Sequence, residues 1–225
     1  MVIAIDGPAA SGKSSTAQWV AEQLGIHHVD SGALYRALTA LALEFSDDPT
    51  SWQPADVLRG GSRITMQLGH CTFIPLIDGA RQDERLRGSD VTAGVSSVAR
   101  LPEARAWVNE QVRAAASTTA VVVDGRDIGT VVFPDATLKI FLVADSWERA
   151  RRRLQQRLER SPAENEIAEE TELLVRRDAA DQTQTVQARD AVLLDTTYLT
   201  QAEQVARIVA LARAAADHAG ESAAD

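Results

Sequence analysis

The sequence predicts an α/β protein whose parallel sheet is covered on both faces by helices. Three observations lead there. Short β-branched apolar runs recur at Val2–Ile5, Ala120–Val123, Leu138–Val143 and Ala191–Leu194, with a weaker one at Ile26–Val29, and helical periodicity lies between them. The first run leads through a glycine-rich turn into an amphipathic segment, Ser14–Leu24, with Ala17, Val20, Ala21 and Leu24 on one face and Gly25 to end it. With 225 residues, 45% of them apolar, the chain can bury one large core with small insertions, but hardly two full domains.

The glycine-rich turn reads GPAASGKSS, Gly7 to Ser15. Its G-x-x-x-x-G-K-S spacing is that of a loop whose backbone N–H groups wrap a phosphate chain. Lys13, one of only two lysines, would reach the outer phosphate oxygens, and the Ser14 hydroxyl would meet Mg²⁺. The following helix adds the partial positive charge of its N-terminus. Further along, residues 46–63 are rich in Ser, Asp, Pro and Gly, and 64–92 mix a possible hairpin with charged turns, so the middle reads as an insertion outside the main sheet. Arg149–Arg177 begins RARRRLQQRLER and turns acidic at AENEIAEETE, which suits a solvated helical hairpin laced by ion pairs and able to close over a nucleotide. Thr200 and Glu203 have capping-box spacing at the start of a last helix that buries Val205, Ile208, Val209 and Ala212, and the tail after Ala215 is expected to fray.

Composition narrows the function. A net charge of −9 argues against nucleic acid or an anionic membrane as the main partner, while a small anionic ligand needs only a local basic cleft. Cys71 stands alone, so no intrachain disulfide can form, and a reducing cytoplasm fits. No apolar signal segment follows a charged start and no run of eighteen apolar residues occurs, so neither secretion nor membrane spanning is expected. His27, His28, His70 and His218 lack metal-ligand spacing. Three clusters fall where strands would end, at the edge that holds ligands in open α/β sheets: DSGALYR (Asp30–Arg36), VVVDGRDIGTVVFP (Val121–Pro134) and RRDAAD (Arg176–Asp181).

Taken in order, GPAASGKSS, DSGALYR, LPEAR, DGRDIGTVVFPDA with LKIFL, and RRDAAD resemble the signatures of bacterial cytidylate kinases, over Val2 to about Ala212. The resemblance implies a P-loop nucleoside-monophosphate kinase fold: a five-stranded parallel sheet with helices on both faces, a monophosphate-binding insertion and a lid. It would place the core at 1–35, 106–148 and 185–215, the insertion at about 36–105, the lid at about 149–184 and the tail at 216–225 of one kinase domain. The implied reaction is transfer of the γ-phosphate of ATP to CMP, and to dCMP, with Mg²⁺, in a cytoplasmic monomer. ATP phosphates would lie on Gly7, Pro8, Ala9, Ala10, Ser11, Gly12, Lys13, Ser14 and Ser15, with Ser14 on the metal. CMP would be held by Ser31, Tyr35, Arg36, Ser96, Arg105, Arg126, Asp127, Arg177 and Asp181. Lys13 and Arg126 would stabilise the migrating phosphoryl group, with Arg153 as the lid arginine.

The chain departs from the family at Gln184, three residues beyond Asp181, where an acceptor-phosphate arginine is usual; the stretch TVQARDA is also short, and Arg189 lies within it. Ala10 stands where a third glycine is common. Two other readings stay open: a P-loop kinase for another small acceptor, and a nucleotide-binding homologue without catalysis.

Overall fold

The structure, a computed structural model, describes residues 1–222, with side chains to residue 217. The chain opens with β1 (Val2–Asp6), whose Ile3, Ala4 and Ile5 are fully buried. Helix α1 (Lys13–Leu24) ends at Gly25, whose left-handed conformation lets its N–H reach the Glu22 carbonyl. Strand β2 (His27–Asp30) runs into α2 (Ser31–Ala42), and the Asp30 carboxylate caps that helix by accepting the Ala33 N–H at 3.0 Å.

Pro54 opens the short α3 (Pro54–Leu58) within the turn-rich stretch. The expected hairpin is present as β3 (Ile64–Leu68) and β4 (Phe73–Ile77), extended by β5 (Ala80–Arg81) into a three-stranded antiparallel sheet. Asp78 and Gly79, at φ 52° and 77°, form the two-residue turn between β4 and β5, as expected of Asp-Gly. Helices α4 (Asp83–Leu86), α5 (Ser89–Arg100) and α6 (Pro102–Thr118) follow.

Strand β6 (Val121–Gly125) is buried throughout and runs into a π turn, Ile128–Val132, closed by the Phe133 N–H on the Ile128 carbonyl at 2.7 Å. Then come β7 (Leu138–Val143), α7 (Ser146–Leu158), α8 (Glu164–Asp181), β8 (Val192–Asp195) and α9 (Gln201–Ser222). The Thr200–Glu203 capping box forms, with the Thr200 N–H on Glu203 at 2.8 Å and the Glu203 N–H on the Thr200 hydroxyl at 3.3 Å. Part of the tail expected to fray, 223–225, lies outside the described residues.

The main sheet is parallel and five-stranded, in the order β2-β6-β1-β7-β8. Its register pairs Ile3 with Leu138 and Asp6 with Phe141, then Ile140 with Val192 and Val143 with Asp195. The chain divides into two compact units, residues 1–25 with the chain from Val122 on, and Ile26–Val121.

The phosphate loop leaves β1 hard against β7. Gly7 has φ 149°, and a Cβ there would lie 2.1 Å from the Leu142 carbonyl oxygen. Gly7→Ala therefore destabilises by roughly 2–4 kcal/mol, since both the clash and the positive φ must be relieved by backbone movement. Urea unfolding tests this through a lowered midpoint at unchanged slope; a loss under about 0.5 kcal/mol would contradict it.

Candidate active site

In the first unit, Gly7, Ala10 and Gly12 have φ 149°, 56° and 84°, so Gly7–Ser15 curls into the kind of nest that lines consecutive N–H groups along one concave side. Lys13 is buried, and its Nζ donates to the Pro8 carbonyl at 2.6 Å and the Ser11 hydroxyl at 3.4 Å. Burial pushes the Lys13 ammonium well below the usual lysine range; the nearby Arg126 guanidinium pushes the same way, against the pull of Asp124 and Asp6. An anion arriving here would reverse that balance. The Ser14 hydroxyl donates to Asp124 Oδ2 at 2.7 Å, with Asp124 buried at the end of β6. One hydroxyl and one carboxylate are hard oxygen donors of the kind that hold Mg²⁺ together with substrate phosphates, so these residues fit that ion. Among the described residues no cluster of three or more His, Cys, Asp or Glu could cage a metal by itself.

Asp6, at the end of β1, organises the turn after β6: its two carboxylate oxygens accept the Ile128 and Gly129 N–H groups, each at 2.8 Å. These are the two residues directly after Asp127, itself buried, so Asp6 fixes the backbone that presents that carboxylate. Asp181, near the end of α8, draws in two guanidiniums, with Arg126 Nε at 3.5 Å and Arg177 Nε at 3.8 Å. Arg126 and Arg177 both act electrostatically on Lys13, so three cations share one neighbourhood.

Helices α7 and α8 form the expected ion-paired hairpin. Glu170, buried, takes both Arg153 at 3.1 Å and Arg157 at 3.3 Å. Arg160 pairs with Glu166 at 2.6 Å, and this guanidinium, with the Ala163 N–H, holds the Glu166 carboxyl down at about 2. Arg153 thus faces Glu170 here rather than the phosphate loop.

In the second unit, α2 carries Ser31, Tyr35 and Arg36, and α5 carries Ser96. Arg36 Nη1 donates to the Thr92 hydroxyl of α5 at 3.1 Å and the Leu86 carbonyl at 3.3 Å. Ser96 stands one helical turn beyond Thr92. Arg105, in the first turns of α6, donates to the Ala99 carbonyl at 3.4 Å.

Asp6, Asp124, Arg149 and Asp178 join the phosphate loop without having been singled out as site residues. The signal for the first two was positional, an acid ending each of two buried apolar strands. Nothing in RRDAAD distinguishes Asp178, whose partners lie 29 and 169 residues away. Gln184 is half-buried just after α8, its N–H on the Asp181 carbonyl at 2.9 Å, and Arg189 is exposed.

Residues 3–214 match the sequence profile of the cytidylate kinase family. The chain belongs to that family. A cytidylate kinase of Desulfitobacterium hafniense is 43% identical over 213 residues, covering 93% of this chain and 91% of its own length. One from Limosilactobacillus fermentum is 40% identical, covering 92% of each chain. A gluconokinase structure from Sinorhizobium meliloti covers 98% of this chain and 97% of its own at 19% identity and a TM-score of 0.49.

Burial raises the Asp6 carboxyl to about 6, against its two backbone N–H bonds; the Asp127 charge adds to the rise and Lys13 opposes it. A carboxyl raised on folding contributes stability below its unfolded value and loses it as pH climbs through the folded one. The stability of the protein relative to Asp6→Asn should therefore fall by about 2–3 kcal/mol between pH 4 and pH 7. Parallel urea titrations of the two proteins measure this, and a difference that stays flat would show that Asp6 keeps an ordinary carboxyl.

Proposed function

We propose that this chain transfers the γ-phosphate of ATP to CMP, and to dCMP, yielding ADP and the nucleoside diphosphate, with Mg²⁺ as cofactor. The observation that carries the reading is the family match over residues 3–214, which spans a phosphate loop with its lysine and serine in place. Phosphoryl transfer asks for in-line alignment and charge stabilisation rather than covalent work by the protein, so no general base is assigned. Ser14 and Asp124 would hold Mg²⁺, which when bound would supply counter-charge to the ATP phosphates. Lys13 exchanges the Pro8 carbonyl for a phosphate oxygen, and within the Gly7–Ser15 loop the residues from Ala10 onward offer the surrounding N–H groups. Arg126, with Arg177 beside it, takes charge on the migrating phosphoryl group.

On the acceptor side Arg36, its guanidinium placed by the Thr92 hydroxyl and the Leu86 carbonyl, receives the CMP phosphate through its planar fork. Cytosine presents an amino donor beside two acceptors; Asp127 and Ser96 receive the amine and Arg105 donates to the ring. Ser31 and Tyr35 line the same face of α2, and Asp181 with Arg177 braces the sugar. The insertion at 36–105 serves the monophosphate. The hairpin at 149–184 serves as a lid, in which Arg153 must exchange Glu170 for phosphate before it can act. The acidic balance and single cysteine favour a cytoplasmic monomer without nucleic-acid or membrane partners.

ADP formation measured across CMP, dCMP, UMP, AMP and GMP tests the substrate. UMP would set a carbonyl against Asp127, and a buried polar mismatch should hold its kcat/KM about a hundredfold or more below that of CMP. Equal turnover of the two would point to a kinase for another small acceptor. Lys13→Ala should abolish transfer with the fold kept, whereas nucleotide binding without ADP formation by the unaltered chain would mark a non-catalytic homologue.

Gln184 replaces a charge-assisted contact by a neutral one, so Gln184→Arg should lower the CMP KM by up to about tenfold. If Arg189 swings in as a substitute, Arg189→Ala raises that KM. Neither change occurring would mean that position 184 plays no part in holding the acceptor phosphate.

A further inference from the structure

We infer that Arg149 and Asp178 form a clasp that fixes the phosphate loop at its third residue, making both of them positioning residues for the nucleotide. The inference rests on the reading of Gly7–Ser15 as the ATP phosphate site. Asp178 Oδ1 accepts the Ala9 N–H at 3.1 Å, and Arg149 Nη1 donates to the Ala9 carbonyl at 2.6 Å. The two side chains are themselves paired, Nη1 to Oδ2 at 2.7 Å, and Arg149 Nε is tied to the Ala144 carbonyl at 3.1 Å. One ion pair thus takes up both backbone hydrogen-bonding groups of a single loop residue, the donor of one helix and the acceptor of the next acting together.

The setting argues for a device rather than a chance contact. Arg149 is only 5% exposed, and a buried guanidinium is costly unless its donors are satisfied by well-placed partners. The Ala9 methyl group belongs to the same apolar cluster as Ala150 and Leu154 of α7 and Ile167 and Leu174 of α8, with Ala10 and Leu158 at its margin. Ala9 is therefore gripped by its N–H, its carbonyl and its side chain at once. With the Ala9 N–H committed to Asp178, the loop's phosphate donors are those from Ala10 onward, and their placement is set by how firmly Ala9 is held. Because Arg177 adjoins Asp178 and Asp181 follows one turn later, α8 anchors the loop with one residue and draws in Arg126 with another.

The test compares Asp178→Ala, Asp178→Asn and the double variant Arg149→Met with Asp178→Leu, which removes both charges while keeping volume. Asp178→Ala and the double variant should raise the ATP KM about tenfold or more, as expected for losing charge-assisted bonds, and leave the CMP KM within about twofold. Asp178→Asn keeps an acceptor for the Ala9 N–H, so its ATP KM should stay within about threefold of the starting value. The rise in melting temperature on adding MgATP should shrink in parallel in Asp178→Ala and the double variant and persist in Asp178→Asn. If ATP and CMP KM values rise together by the same factor, or if Asp178→Ala or the double variant folds and keeps its ATP KM, the clasp is only structural and the inference falls. Lys13→Ala separates the two levels: normal ATP binding by that variant would overturn the phosphate-loop reading itself, whereas its loss beside unaffected clasp variants would overturn the clasp alone.

Discussion

The charge of Lys13 is the constraint around which the first unit is arranged. A buried ammonium in the company of Arg126 and Arg177 is held far from comfort, with one backbone carbonyl and one hydroxyl as its direct partners. Asp6 and Asp124 temper this, yet each is also engaged elsewhere, Asp6 with two backbone N–H groups and Asp124 with the Ser14 hydroxyl. Such a site gains most from a dense anionic ligand, because the ligand supplies the counter-charge that the fold withholds. Stability is thereby set aside for binding, as is common where groups are prepared in advance of their substrate.

The arrangement depends on strand ends. Asp6 closes β1 and Asp124 is the last residue but one of β6, so two neighbouring parallel strands deliver acids to the same edge as the loop. The hairpin of α7 and α8 contributes differently. Its outer pairs, such as Arg160 with Glu166 and Arg176 with Glu172, are exposed and individually weak. Its inner acids, Glu170 and Asp178, take arginines in less accessible surroundings, where removing one partner strands the other's charge away from water and costs more than at the outer pairs.

Much of this was legible in the sequence because it is local. Val2–Ile5 followed by GPAASGKSS specifies strand, loop and helix within 24 residues, and Asp30, Thr200 and Glu203 announce their helices through side chains that reach only three residues. The family signatures carried the rest of the functional reading. What the sequence did not disclose are contacts between distant segments: Asp6 reaching the turn at Ile128, Glu170 choosing Arg153 and Arg157 among six closely spaced arginines, Asp178 finding Ala9. No periodicity encodes which of several equivalent charges will meet, since that is decided by packing of the finished core. Arg36 shows the same limit, its partner Thr92 lying 56 residues on in a helix that periodicity alone does not tie to α2.

Ala10 has a left-handed backbone at φ 56°, a conformation glycine would adopt without penalty, and its side chain touches the apolar cluster of α7 and α8. The strain of placing an alanine there is about 1 kcal/mol, close to what burying one methyl group returns. The exchange is near neutral in energy but not in entropy, because alanine has fewer unfolded conformations to surrender than glycine. The loop is accordingly stiffened by its covalent chemistry at this residue, and the methyl group that stiffens it is the same one that ties it to α7 and α8.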